Sequence, residues 1–267
     1  MRARLDVEMV RRGLAESRSE ATDLIMAGVV RVAGAVADKP ARLVAPNEPV
    51  IVAGPPPRYV SRGGEKLHLA LENFDVSVHD RSVLDAGSST GGFTDCVLQH
   101  GARRVAGFDV GRSQLHERLV GDPRVTQRDG HNVRRIVPSD LPFPCSLLVA
   151  DVSFISLTKV LPALLAVLSD EPNHGTSEAI VLVKPQFEAG RQEVSKGRGV
   201  ITDPRIWEEA CTAVSASFRT HGYEVREVVE SPIKGGDGNV EYLMHARLVT
   251  VGQTSSMMNS SDGRHQS

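Results

Sequence analysis

Leu84-Asp85-Ala86-Gly87-Ser88-Ser89-Thr90-Gly91-Gly92-Phe93-Thr94 carries an apolar run through a glycine turn into a helix-compatible segment. Glycines at a strand-to-helix turn let a ligand lie against the backbone and leave the first helical N–H groups free. The spacing is Gly-x-x-x-Gly-Gly, unlike the Gly-x-Gly-x-x-Gly of dinucleotide sites, and no Gly-Lys-Ser/Thr follows, which excludes a P-loop. Asp85, just before the turn, would repel a pyrophosphate but suits a ligand with a cationic amino group. Around this turn, β-type runs at 82–86, 104–109, 124–127, 146–150 and 179–184 alternate with helical patterns near 91–100, 113–120, 157–168 and 204–221. The alternation predicts an α/β fold with a mostly parallel sheet and helices on both faces. Runs at 223–230 and 240–249 flank only the glycine-rich segment 234–239, too short for a crossover helix. They should therefore pair antiparallel, bringing the sheet to seven strands.

Upstream, residues 1–54 read as a separate small α+β unit. A helix is expected over 7–14, and Ser17-Arg18-Ser19-Glu20 has the spacing of a capping box for a second, closed by Gly28. Short β runs follow at 29–32 and 49–52. Gly54-Pro55-Pro56-Pro57 then marks a stiff connector, giving a linker at 55–63 and a larger domain at 64–250. The Ser/Met/Asn-rich tail, 251–267, is expected to be disordered.

The 267 residues carry a net charge of −2, which argues weakly against a general nucleic-acid binder. The distribution says more. Residues 1–60 hold nine Lys/Arg against seven Asp/Glu, with Arg2, Arg4, Arg11, Arg12 and Arg18 clustered before the first turn. Cys96, Cys145 and Cys211 are scattered without a Cys-x-x-Cys pair, so neither a disulfide framework nor a metal site is expected. There is no apolar run of about 18 residues and no signal-peptide core, so a cytoplasmic, non-membrane protein is expected.

Open α/β sheets bind ligands beyond the carboxyl ends of their strands. Asp109 ends the second run, where a carboxylate can accept hydrogen bonds from both hydroxyls of an adenosine ribose, and Asp129 follows the third, placed for an adenine edge. Three acids at successive strand ends, with this glycine turn, favour S-adenosylmethionine over a dinucleotide. Asp151 and Lys184 end the next two runs, Glu241 lies near the start of the last, and Lys66 precedes the first. Ionisable groups abutting apolar strands are costly to bury alone, and two lysines and two carboxylates can satisfy one another. The set suits methyl transfer to an alcohol, with Lys184 as base, Asp151 orienting it, Lys66 placing the substrate and Glu241 holding the network. A lysine serves as base only if its pKa falls from about 10.4. A purely structural salt-bridge network is the alternative reading of the same four residues.

These segments resemble the TlyA family of ribosomal RNA 2′-O-ribose methyltransferases over residues 1–250. The resemblance is carried by Tyr59-Val-Ser-Arg-Gly-Gly-Glu-Lys66-Leu67, Leu84 to Thr94, Asp151-Val-Ser-Phe-Ile-Ser-Leu157, Val183-Lys-Pro-Gln-Phe-Glu188 and Gly238-Asn-Val-Glu-Tyr242. It implies an S4-like RNA-binding domain joined to a Rossmann-like class I, FtsJ-like domain with a catalytic tetrad at Lys66, Asp151, Lys184 and Glu241. Cofactor contacts would come from Asp85, Gly87, Ser89, Thr90, Gly91, Gly92, Phe93, Asp109 and Asp129. Arg2, Arg4, Arg11, Arg18 and Arg62 would meet RNA. The implied target is a cytidine ribose in large-subunit RNA and, from the extended form of Arg2-Ala-Arg-Leu-Asp6, small-subunit RNA too, acted on by a monomer. Pro57-Arg58-Tyr59 departs from the Arg-Ala-Trp that extended members carry before Val-Ser-Arg-Gly. A non-catalytic assembly factor, and the haemolysin that a family label suggests, are the alternatives.

Overall fold

The computed structural model of the chain describes residues 2–15, 17–26, 28–54, 57–171, 174–189, 199–235 and 238–249. The tail read as disordered, 251–267, lies outside them, as do parts of the expected linker. At the N-terminus, β1 (Ala3–Arg4) leads directly into α1 (Leu5–Arg11), followed by α2 (Arg18–Met26). The first helix starts and ends earlier than its apolar pattern suggests. Gly13 takes a left-handed φ of +68°, and the Leu14 N–H turns back to the Met9 carbonyl. The Ser17 hydroxyl accepts from the Glu20 N–H at 3.1 Å, and Gly28 is left-handed past the end of α2, both as the capping pattern predicts. Leu5 and Met9 of α1 and Ala21, Leu24 and Ile25 of α2 close over β2 (Val30–Val32). That strand sits between β3 (Ala35–Val36) and β5 (Val50–Val52), while β4 (Leu43–Val44) pairs with β1.

A helix absent from the sequence reading comes next. α3 (Arg62–Phe74) begins inside the segment read as linker. Gly63-Gly64 disguises its start, yet Gly64 is required there: a Cβ would lie 2.3 Å from the Tyr59 side chain. Leu67, Ala70, Leu71 and Phe74 face the sheet at helical spacing.

β6 (Ser82–Ala86) is buried at every position, as a central parallel strand must be. With α4 (Gly92–Gln99), β7 (Arg104–Asp109), β8 (Val125–Asp129), β9 (Leu147–Ala150), α5 (Leu161–Ala166), β10 (Glu178–Val183), α6 (Pro185–Glu188), α7 (Pro204–Thr220), β11 (Tyr223–Glu230) and β12 (Tyr242–Leu248), it builds a seven-stranded sheet of order β11-β12-β10-β9-β6-β7-β8. β6 to β10 pair parallel; β12 runs antiparallel to both β10 and β11. The α/β reading and the closing hairpin are thus correct.

The helix expected near 113–120 does not form. Ser113 adopts a positive φ of +54°, and the Asp129 carboxylate takes its N–H at 2.7 Å. The apolar side chains of that segment, Leu115 and Leu119, instead cover Gly91. At the opposite rim Arg81 ties three strands together, donating to the Ser146 hydroxyl and carbonyl and to Glu178.

Candidate active site

Crossing from β9 through β6 to β7, the carboxyl ends of the strands carry Asp151, Gly87 and Asp109. Gly87 has a φ of +84°, and a Cβ there would lie 2.4 Å from the carbonyl oxygen of Asp151. Only glycine fits, so the glycine turn rests directly on the backbone of a catalytic candidate. Two cavities open on either side of this contact, and Gly87, Ser89, Asp151 and Ser153 line both.

The larger, about 560 Å³, is walled by Phe108, Asp109, Gly111, Gln114, His131 to Val133 and Val152 to Ile155 besides the shared residues. Its size suits a nucleoside-bearing small molecule. Among the described residues two carboxylates, Asp109 and Asp151, face it, and no lysine or arginine does. Such a wall disfavours a pyrophosphate and accommodates a cationic ligand, which is what the sulfonium and ammonium of S-adenosylmethionine present. Asp109 accepts from the Ser89 N–H at 2.9 Å and the Gly111 N–H at 2.6 Å, which locks its orientation while spare lone pairs remain for ribose hydroxyls.

Two of the expected cofactor acids are not brought to this wall. Asp129 is exposed and committed elsewhere, to the Ser113 N–H and to Gln127 Nε2 at 3.0 Å; these bonds hold its pKa below the usual carboxylate range. Asn132 and His131, just downstream, line the larger cavity instead. Asp85 is fully buried under the turn, where Thr94 Oγ1 donates to it at 2.6 Å and its other oxygen has no protein partner. Burial pushes its pKa up to about 7, against the opposing pull of Thr94. Of the remaining turn residues, Thr90, Gly92 and Phe93 line the smaller cavity, and Gly91 caps α4 with a left-handed φ of +92°.

The smaller cavity, about 230 Å³, has the opposite character: Arg62, Lys66 and Lys184 face it, with Asp23, Ser61 and Asp151. The four catalytic candidates form two ion pairs. Lys184, one residue past β10, lies 2.5 Å from Asp151 and donates to Ser153 Oγ at 2.8 Å. Lys66, in the second turn of α3, pairs with Glu241, which immediately precedes β12. Glu241 is only 3% exposed and stands behind Lys66 rather than in the wall. Among the described residues, no group of three or more His, Cys, Asp or Glu converges as for a metal ion.

Sequence reasoning missed Ser153, Phe154, Asn132 and Asp23. Phe154 is 92% exposed with a φ of +63°, an unusual conformation for a bulky residue, and its ring lies 5.2 Å from that of Phe187 at the mouth of the larger cavity. Arg4, Arg11 and Arg18 are exposed but not free, and Arg12, 19% exposed, spends its guanidinium on the Ala45, Pro46 and Glu48 carbonyls. Arg4 and Arg18 share the buried Asp6, and Arg11 and Arg12 share the buried Glu8, which lowers both carboxylate pKa values to about 2. Three exposed guanidinium groups over two buried anions leave a net positive face with its arginines already oriented. Arg2 is exposed beside them, whereas Arg62 sits apart, at the smaller cavity.

These features define a Rossmann-like, S-adenosylmethionine-dependent methyltransferase with an attached RNA-binding module. Residues 59–248 match the family described as FtsJ-like methyltransferase, and residues 3–50 match the S4 domain. The 16S/23S rRNA (cytidine-2′-O)-methyltransferase TlyA of Mycobacterium tuberculosis is 44% identical over 250 residues, covering 93% of this chain and 91% of that protein. A Bacillus subtilis relative named for rRNA methylation, YqxC, is 44% identical over 252 residues, 94% of this chain and 87% of its own. A solved structure from Streptococcus thermophilus, carrying the haemolysin label, superposes with a TM-score of 0.72 at 40% identity, over 92% of this chain and 88% of that one. The chain belongs to the TlyA family of FtsJ-like methyltransferases.

Proposed function

We propose that this chain methylates the 2′-hydroxyl of a cytidine ribose in ribosomal RNA, of the large subunit and also the small, using Lys184 as the proton acceptor. The observation that carries the reading is the pair of contiguous cavities: among the described residues, one is walled by carboxylates without cations and the other is lined by three cations, and they meet at Asp151 and Ser153. S-adenosylmethionine, when bound, supplies an electrophilic methyl group. Asp109 would hold the ribose of that cofactor, the Gly87–Gly92 turn its amino-acid end, and the apolar Phe108, Val133 and Ile155 its base.

On the substrate side, Asp151 and Ser153 fix the position of Lys184 Nζ, leaving one direction for a ribose hydroxyl. Lys184 in its neutral form would take the hydroxyl proton on its lone pair as the oxygen becomes a nucleophile, and the ammonium so formed would be held by Asp151. Lys66, oriented by Glu241, and Arg62 would hold the flanking phosphates. Alignment of two reactants at this junction supplies much of the acceleration. The paired arginines of the N-terminal unit would anchor the RNA by phosphate contacts. Aromatic content is low, so shape and charge lead in binding, with Phe154 an exposed apolar face beside the gap. We place this activity in the cytoplasm, on a monomer.

Transfer of tritium from labelled S-adenosylmethionine to unmethylated ribosomal subunits tests the reading. Incorporation lost in Lys184→Ala, with cofactor affinity kept, is expected. Subunits that bind the protein but gain no label would favour an assembly factor. Among the described residues no helix is long and apolar enough to cross a membrane, so the haemolysin label receives no support from a spanning segment.

A further inference from the structure

The smaller cavity is lined by one residue of the N-terminal unit. Asp23, on α2 of the N-terminal unit, lines it together with Arg62, Lys66 and Lys184. Its Oδ1 accepts from Arg62 Nε at 3.0 Å, and the two side chains are 24% and 23% exposed. Among the described residues this is the one ion pair that joins residues 2–54 to residues 57–249. The catalytic cavity is therefore assembled from both units.

We infer that Asp23 is a positioning residue for RNA capture: it aims Arg62 so that the guanidinium meets a phosphate of the target strand. This deepens the proposed function and rests on it. An arginine presents phosphate with a two-pronged edge, and a long side chain held by nothing spends most of its time elsewhere. Asp23 engages Nε alone. Both terminal nitrogens, Nη1 and Nη2, have no protein partner among the described residues, so the edge suited to a phosphodiester stays available while the stem is fixed. The cations around it, Lys66 and Lys184, are each matched to a carboxylate of their own. Burial raises the Asp23 pKa while Arg62 and Lys66 oppose the rise, so the carboxylate senses two of the three cations of the cavity. An S4 unit displaced from the catalytic domain would lose this aim, which couples docking of the RNA-binding unit to completion of the substrate site.

The sign of one substitution separates this from the simpler view. If Asp23 merely adds negative charge near a phosphate site, Asp23→Asn should tighten RNA binding. If it positions Arg62, the same change should weaken it. The experiment measures binding of the full chain to purified unmethylated ribosomal subunits at two salt concentrations, for wild type, Asp23→Asn, Arg62→Gln and the double variant. Arg62→Gln should weaken binding by about tenfold, the scale of one charge-assisted phosphate contact. Asp23→Asn should weaken it by about threefold or more, the double variant should be no worse than Arg62→Gln, and Asp23→Glu should recover most of the loss. Calorimetric affinity for S-adenosylmethionine should be unchanged throughout. Tighter or unaltered RNA binding in Asp23→Asn, or losses that multiply in the double variant, would overturn the inference. Binding is read without turnover, so a wild-type chain that transfers no methyl group would sink the functional reading alone.

Discussion

Replacing Glu241 with glutamine preserves shape and removes one charge from the most enclosed ion pair of the site. Lys66 and Glu241 are 8% and 3% exposed, so solvent offers the stranded ammonium little relief. The Gly235 backbone closes over the same carboxylate, near enough that a Cβ there would lie 2.5 Å from Glu241 Oε1. Breaking a buried pair from one side costs about 3–5 kcal/mol, and the amide oxygen that glutamine retains puts the expectation near the lower end, roughly 3 kcal/mol. For a chain of this size that is a fall in Tm of about 6–12 °C. Removing both charges, in Lys66→Met with Glu241→Gln, leaves no uncompensated ion, and most of the lost stability should return. Methyl transfer should not return, because Lys66 is then absent from the cavity. Thermal unfolding and tritium transfer on the four proteins of this cycle separate the two effects. Stability losses that simply add would refute the argument, since they would mean the two residues do not hold one another.

Other substitutions probe the remaining parts. Asp109→Ala should weaken S-adenosylmethionine binding by about 10- to 100-fold, the worth of charge-assisted bonds to ribose hydroxyls, and an unchanged calorimetric affinity would remove that role. Gly87→Ala combines a positive φ with overlap on the Asp151 carbonyl, together about 2–5 kcal/mol of destabilisation. Gly121→Ala, with a φ of +87° and nothing within 4 Å, should cost only the backbone part, about 1–2 kcal/mol, and equal losses at the two sites would contradict the close contact. Asp85 gives a pH signature. Its folded pKa, about 7, lies above the ordinary 3.8, so the folded state binds the extra proton and stability should fall as pH rises from about 4 through 7. Asp85→Asn should flatten that slope, by an amount on the order of 3 kcal/mol across the window; denaturant melts at pH 5 and 8 that retain the wild-type difference would reject the assignment.

The large domain was readable because its signals are local and repeated. Continuous apolar runs of the β6 and β10 type announce buried parallel strands, and the short glycine-rich segment before β12 leaves room only for a hairpin. α3 escaped because two glycines occupy its first turn, where close packing on Tyr59 outweighs helix propensity. The helix expected near 113–120 failed for the converse reason: a suitable pattern was overruled by Asp129 capturing the Ser113 amide. At the site, residues one step beyond a strand end could be found by counting, which is how Asp151 and Lys184 were reached. The split of four ionisable groups into two separate pairs depends on which strands are neighbours, and spacing does not contain that. Asp23 was invisible for the same reason, as it enters the cavity from another folding unit.

The order of the sheet also has a temporal meaning. Among the described residues β12 is the last strand in sequence, yet it lies between β10 and β11. Until it is inserted, β11 has no neighbour to pair with and Lys66 lacks the carboxylate beside β12 that holds it. Truncation before Glu241 should therefore remove at one stroke the strand that seats β11 and the carboxylate that holds Lys66.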